Sequence, residues 1–278
     1  YLGEEFDIHT GGIDHREIHH VNEIAQNQAY LGGSTGVRYW MHNEFLLLGD
    51  EKMSKSSGQF VRLETLVEWG IHPLVYRYFL LAAHYRSKLT FSFDALVGAR
   101  SALLRTLRTL NALSNKSSRA EELRALVAET RFSRGASFTY ARSELSRDLP
   151  PAAAAWIDKL DEAISRDLNT AAALASLTSL VDDTTLTPDQ VLSIVGVFDL
   201  VLGLGLLETP PEALLLRPAH ATLTDEELTE LVKSRDAARA SGNYKLGDEI
   251  RDRLKRESLV LSDSSSGTRW EWVPSLPK

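Results

Sequence analysis

Over roughly the first 70 residues the apolar positions switch between two periods. Residues 6–9 form a short extended run that ends at Gly11-Gly12. Ile18, Val21, Ile24, Ala25 and Ala29 then recur at helical spacing, until Gly32-Gly33-Ser34 stops the run. Residues 37–41 and 45–48 read as strands. A strand followed by a helix predicts an α/β layered start. From about residue 72 the pattern is helical throughout. Pro73 suits a first helical position, with Leu74, Tyr78, Leu81 and Ala82 following at helical spacing. Ser92 is placed to cap a helix that carries Leu96, Leu103, Leu107 and Leu110 on one face. Further helices are predicted at about 119–130, 151–167, 170–182 (Asn169 at the cap) and 188–203 (Thr187 capping, Pro188 first), which makes a helix bundle. Prolines mark residues 208–222 as a linker. In the last segment Thr224-Asp225-Glu226-Glu227 opens a helical hairpin broken at Ser241-Gly242-Asn243. Two short strands, 259–261 and 268–272, close it.

Composition narrows the class. The chain has 278 residues, 43% hydrophobic and 25% charged, and a formal net charge of -7, all ordinary for a globular protein. Its length allows two or three domains. It has no cysteine, so it makes no disulfide and no thiolate metal site by itself. The longest apolar stretch, 191–207, is broken by Ser193, Asp199 and three glycines, too interrupted for a bilayer span. The cytosol is the expected compartment. The chain opens at Tyr1 and runs almost at once into a strand and a glycine turn, and we expect a preceding segment.

One string is specific. Lys52-Met53-Ser54-Lys55-Ser56, followed by Gly58, sets two lysines three apart among small hydroxyl residues. Such a cationic loop can close on a triphosphate and meet the charge that builds as pyrophosphate leaves. Gly11-Gly12-Ile13-Asp14 lies between a strand and a helix, where bare backbone can approach a nucleotide and Asp14 can accept from a ribose. His19 and Glu23 are four apart on one helical face, a spacing that suits two ligands of one metal ion, and His9, His15 and His20 lie nearby in sequence.

The lysine string resembles the signature of class I aminoacyl-tRNA synthetases, and its surroundings resemble cysteinyl-tRNA synthetases. The likeness is carried by Asp7 to Asp14, by His19-His20-Val21-Asn22-Glu23-Ile24-Ala25-Gln26, by Tyr39-Trp40-Met41-His42-Asn43, by His84-Tyr85-Arg86-Ser87 and by Arg166-Asp167-Leu168-Asn169-Thr170. Ser57, Gln59 and Glu44 depart from the family's usual residues. The resemblance implies an α/β remnant of a class I Rossmann-type catalytic domain, followed by an α-helical bundle and a small α+β C-terminal module. The domains would be 1–71, 72–207, a linker 208–222, and 223–278. It implies ATP with magnesium, L-cysteine and tRNA(Cys) as substrates, and a monomer away from membranes. Lys55 and Lys52 would be catalytic, and Gly11, Gly12, Asp14 and Lys55 would hold ATP or the adenylate. His19 and Glu23 would be two of four zinc ligands, the others being cysteines upstream; two ligands alone should hold zinc poorly. A His-x-Gly-His string that the family uses in the same step is not in this sequence, so we expect the chain alone to form no adenylate.

Basic residues raise the question of nucleic acid. Between Leu96 and Ala120 the charged residues are Arg100, Arg105, Arg108, Lys116 and Arg119, and from Lys233 to Arg256 eight basic residues face four acidic ones. Such stripes can face phosphates, but read alone they fit a solvated helix face better. By resemblance, residues 231–272 are similar to the family's anticodon-reading module, with Arg239, Tyr244, Asp248 and Asp263 on its base-contacting positions and Trp270 in the core. A cysteine–aminosugar ligase of mycothiol synthesis, which lacks that module, and a stand-alone tRNA-binding protein are the competing readings.

Overall fold

The computed structural model describes residues 3–48, 51–52, 61–131, 135–264 and 267–276. It divides into two compact units. One comprises Tyr1–Phe60, Leu80–Ser92 and Asp158–Ser176, the other Val61–Phe79, Phe93–Ile157 and Leu177–Lys278.

In the first unit, β1 (Phe6–Gly12) and β2 (Val37–Asn43) pair in parallel, from Phe6 opposite Val37 to Gly12 opposite Asn43. The connection between them carries α1 (His19–Leu31), as a parallel pair requires a crossover. Gly32 ends α1 in the left-handed conformation, at φ 68°, and its N–H donates to the Gln28 carbonyl; a side chain there would be strained. A second sheet has the order β4-β3-β5, from β3 (Leu46–Leu48), β4 (Glu51–Lys52) and β5 (Leu89–Phe91). β5 was not legible in the sequence, because three residues carry no period of their own and the strand exists only through its parallel pairing with β3.

The second unit is mostly helical. It holds α2 (Leu63–Glu68), α4 (Phe93–Ser114), α5 (Ala120–Arg131), α6 (Ala136–Ser146) and α9 (Pro188–Leu202). Helices α3 (Pro73–Leu81), α7 (Pro151–Ser165) and α8 (Thr170–Val181) complete the chain's middle part. α9 is apolar on all sides and buried from Val191 to Asp199, as expected of a helix at the centre of a bundle. Its start is fixed by a capping box, in which the Thr187 hydroxyl accepts from the Gln190 N–H and the Gln190 side chain accepts in return. Leu96, Leu103, Leu107 and Leu110 of α4 are buried as their spacing predicts. The segment expected as a linker contains a tight helical turn, Pro211–Leu214, with both end residues buried.

At the end of this unit α10 (Asp225–Ala240) and α11 (Tyr244–Arg256) pack with the hairpin of β6 (Leu259–Ser264) and β7 (Gly267–Trp272). Their core is Leu223, Leu228, Ile250, Leu254, Leu259 and Trp272. The strand tryptophan expected inside is therefore the wrong one. Trp270 is 38% exposed while Trp272 fills the core, because alternate residues of a strand face opposite sides. Among the described residues no helix is long and apolar enough to cross a membrane.

Candidate functional site

The residues singled out in the sequence fall in both units. In the first unit, the first turn of α1 places His19 and His20 beside the strand pair. Glu23, one turn on, returns its carboxylate toward them. His19 Nε2 lies 3.4 Å from Glu23 Oε1, and His9 Nε2, from β1, lies 3.1 Å from Glu23 Oε2. His20 Nε2 is 3.9 Å from that same oxygen. His20 is buried, and its Nδ1 is hydrogen-bonded to His42 Nε2 at 2.9 Å. Burial, followed by the neighbouring His9 and His42, holds His20 below its ordinary pKa, so it is kept as a neutral imidazole. Burial likewise lowers His42, helped by Arg16. Glu23 Oε2 is buried and completes no hydrogen bond, despite its nearness to His9. Nitrogen and oxygen donors converging on one point suit zinc or a similar transition ion, and among the described residues His9, His20 and Glu23 form such a group. The sequence pointed to His19 and Glu23. His42 was missed: its partner is 22 residues away, and only the β1–β2 register, which sets Gly11 opposite His42, brings them together.

The glycine turn has a local reason. A Cβ on Gly11 would come within 2.7 Å of the His20 ring, and one on Gly12 within 2.5 Å of an Asp14 carboxylate oxygen. Asp14 lies in the tight turn Ile13–His15 that follows. Two further strings meet in this unit. Asp167, at φ 56°, accepts from the Tyr85 hydroxyl at 2.7 Å and pairs with Arg86 at 2.9 Å. Beside them a cleft of about 240 Å3 is lined by Asn43, Glu44, Phe45, His84 and Tyr85. The backbone of Lys52 lies in β4 opposite Leu47, while Lys55 and the rest of the lysine string lie outside the described residues.

In the second unit, Arg239, Tyr244 and Asp248 gather at the α10–α11 turn. Tyr244 is 62% exposed at the start of α11. Arg239 packs its stem against Gly247, where a Cβ would meet it at 3.2 Å. Asp248 lines an open cleft of about 560 Å3 with Arg251, Asp252 and Lys255. Asp263 lies on β6 in the fork of Arg235, whose two terminal nitrogens donate to the two carboxylate oxygens at 2.5 and 2.7 Å. Thr268, opposite on β7, donates to it at 3.0 Å. These bonds, led by Arg235, hold the Asp263 carboxyl far below the usual carboxylate range, and Arg239 is near enough to add to the effect. Arg235 is itself buried and was missed, since its partner is 28 residues away.

The arginines of the basic stripe expected between Leu96 and Ala120 are each paired within the protein. Arg100 is buried and donates to the Trp272 carbonyl at 2.7 Å. Arg108 pairs with Glu271, Arg105 with Asp182 at 3.6 Å, and Arg119 with Glu122 at 2.7 Å. Counting like charges along the helix could not see the partners of Arg100, Arg105 and Arg108, which other elements supply.

Residues 1–101 match the family model described as tRNA synthetases class I (C) catalytic domain. Relatives match along nearly the whole chain. A cysteine–tRNA ligase of Zymomonas mobilis is 41% identical over 99% of this chain and 54% of its own length. Those of Novosphingobium aromaticivorans and Treponema denticola are 40% and 36% identical over 98% of this chain, covering 51% and 53% of theirs. A solved leucyl synthetase complex from Agrobacterium radiobacter aligns with a TM-score of 0.46 at 15% identity, over 92% of this chain and 35% of that one, a likeness too loose to inform the fold. The chain spans about half the length of the curated relatives it matches. Over the stretch it spans, the chain is similar to cysteine–tRNA ligases, and its residues 1–101 match the class I (C) tRNA synthetase catalytic domain.

Proposed function

We propose that this chain is the lysine-loop and anticodon-reading part of a cysteine–tRNA ligase, which joins L-cysteine to ATP as cysteinyl-adenylate and passes the cysteinyl group to tRNA(Cys). The observation that carries this is the reach of the likeness: it covers 99% of the chain, including the α10–α11 and β6–β7 module that the aminosugar ligase would lack. In this reading residues 1–71 complete a Rossmann-type catalytic domain, 72–207 are the helical bundle and 223–278 read the anticodon. Lys55, with Lys52, stabilises the departing pyrophosphate of magnesium-bound ATP. Gly11, Gly12 and Asp14 face the adenylate. His19 and Glu23 hold zinc together with cysteines outside this chain; the unsatisfied Glu23 oxygen and the imidazole beside it fit that ion. Zinc so held supplies a soft centre that takes a thiolate and rejects a hydroxyl.

The Asp263 carboxylate, kept ionised by Arg235, presents an acceptor to a base N–H edge. Tyr244 offers a stacking face, and Arg239 and Asp248 offer a donor and an acceptor to splayed bases. The test is binding of tRNA(Cys) to the purified chain. Arg239→Ala and Asp248→Ala are each expected to weaken it by about tenfold or more, and unchanged affinity in both overturns the anticodon assignment. ATP–pyrophosphate exchange by this chain alone should be absent, and rates close to those of an intact ligase would overturn that part.

A further inference from the structure

We infer that the cleft along the free edge of β7 receives an unpaired base of the bound tRNA, which stacks on Trp270. The inference rests on the proposed function and extends it beyond the four residues to which the resemblance assigns base contacts.

The cleft lies within the second unit and measures about 870 Å3; residues of α4, of the turn Pro211–Leu214 and of β7 line it. Among the described residues β7 pairs only with β6, so its outer edge is open. The Trp272 carbonyl leaves by that edge and accepts from Arg100 at 2.7 Å. Alternate residues of an antiparallel strand turn their backbone groups the same way. The N–H and C=O of Trp270 and Thr268 therefore follow on the same edge, and both residues line the cleft. Unpaired donors and acceptors on a strand edge call for a partner, and the polar edge of a splayed base offers both kinds of group.

Trp270 supplies the stacking surface. Its ring is exposed and meets the core ring of Trp272 at 79°, with centroids 6.1 Å apart. This edge-on contact restricts the ring without covering it as a stack would, and an exposed indole accepts any base. Charge separates base from phosphate. Two acids, Glu212 and Glu271, offset Arg108 and Arg269 around the cleft, and Arg108 is already paired with Glu271. The lining thus carries no surplus to draw a phosphate inward. Arg269, exposed and tied to no acid among the described residues, is left for the phosphate beside the base. Thr268 joins the cleft to the proposed reading surface, since its hydroxyl donates to Asp263 at 3.0 Å. That continuity favours an RNA strand over an extended peptide as the occupant.

The experiment measures binding of tRNA(Cys) to the purified chain across a range of salt concentrations. Trp270→Ala should weaken binding by about fivefold or more, and Trp270→Phe, which keeps an aromatic face, should restore most of the loss. Arg269→Ala should lower the slope of log affinity against log salt by about one. Tryptophan emission should fall on adding tRNA, and fall less in Trp270→Phe. Unchanged tRNA affinity in Trp270→Ala overturns the inference, whether the cleft then proves to take a free nucleotide or a protein strand. Equal losses in Trp270→Ala and Trp270→Phe overturn it too, because packing and not stacking would then be the cause. Circular dichroism checks folding; if Trp270→Ala fails to fold, Arg269→Ala carries the test, and an unchanged salt slope there overturns the inference. Where Arg239→Ala and Asp248→Ala lose affinity and Trp270→Ala does not, the anticodon assignment of the proposed function survives. If all three bind normally, both fall.

Discussion

At His72 the chain uses an imidazole as a helix cap. The ring Nδ1 accepts from the Leu74 N–H at 3.1 Å, one residue before Pro73 opens α3. Burial lowers the His72 pKa, so the unfolded chain binds the proton more readily than the folded one. Stability is then complete above the unfolded value of about 6.5 and is lost as the pH falls through the folded value. Urea midpoints should therefore drop between pH 7.5 and pH 5.5, and the drop should be smaller in His72→Asn, whose amide oxygen can keep the cap without titrating. Asp263 behaves in the opposite chemical sense. Its removal strips the buried Arg235 of its fork, and Asp263→Ala should cost about 1–3 kcal/mol of stability in denaturant unfolding. A tRNA-binding loss in that variant thus has to be read alongside its unfolding curve. The glycine turn carries a similar lesson: Gly11→Ala pushes on the His20 ring before it meets any nucleotide, so it should cost about 1–3 kcal/mol in urea unfolding even with ATP left out.

Among the elements, those with local punctuation were legible. α9 began where Thr187 and Pro188 place it, and α10 where Thr224 does, because caps are short-range chemistry. α6 was not, since only Ala141 and Leu145 of it are buried and two apolar anchors make no visible stripe. β5 and the His20–His42 pair depended on partners far along the chain, which no window reports. Packing also limits α9 from inside. A Cβ on Gly196 would sit 2.9 Å from Leu145 and 3.2 Å from Val127. Helix propensity alone would make Gly196→Ala stabilising by about 1 kcal/mol. We expect instead a loss of about 1–3 kcal/mol from overpacking, measured by thermal unfolding; a gain would show that the α5–α6–α9 interface can relax.

For the molecule as a whole, the zinc proposed at His19 and Glu23 predicts a stabilisation that follows mass action. Zinc at about a hundred times its dissociation constant should raise the unfolding free energy by about 2.7 kcal/mol, and chelation should reverse it. The other whole-molecule property is its charge. A chain of formal charge -7, whose α4 arginines are tied to the Trp272 carbonyl, Asp182 and Glu271, keeps its surplus of basic residues between Lys233 and Arg256. A polyanion such as tRNA would be drawn to that stretch alone and repelled by the net charge of the remainder. Stopped-flow association should then be on the order of 10^5–10^6 per molar per second, and the affinity should fall as salt rises. Selectivity would reside in how long a correct partner stays rather than in how fast it arrives.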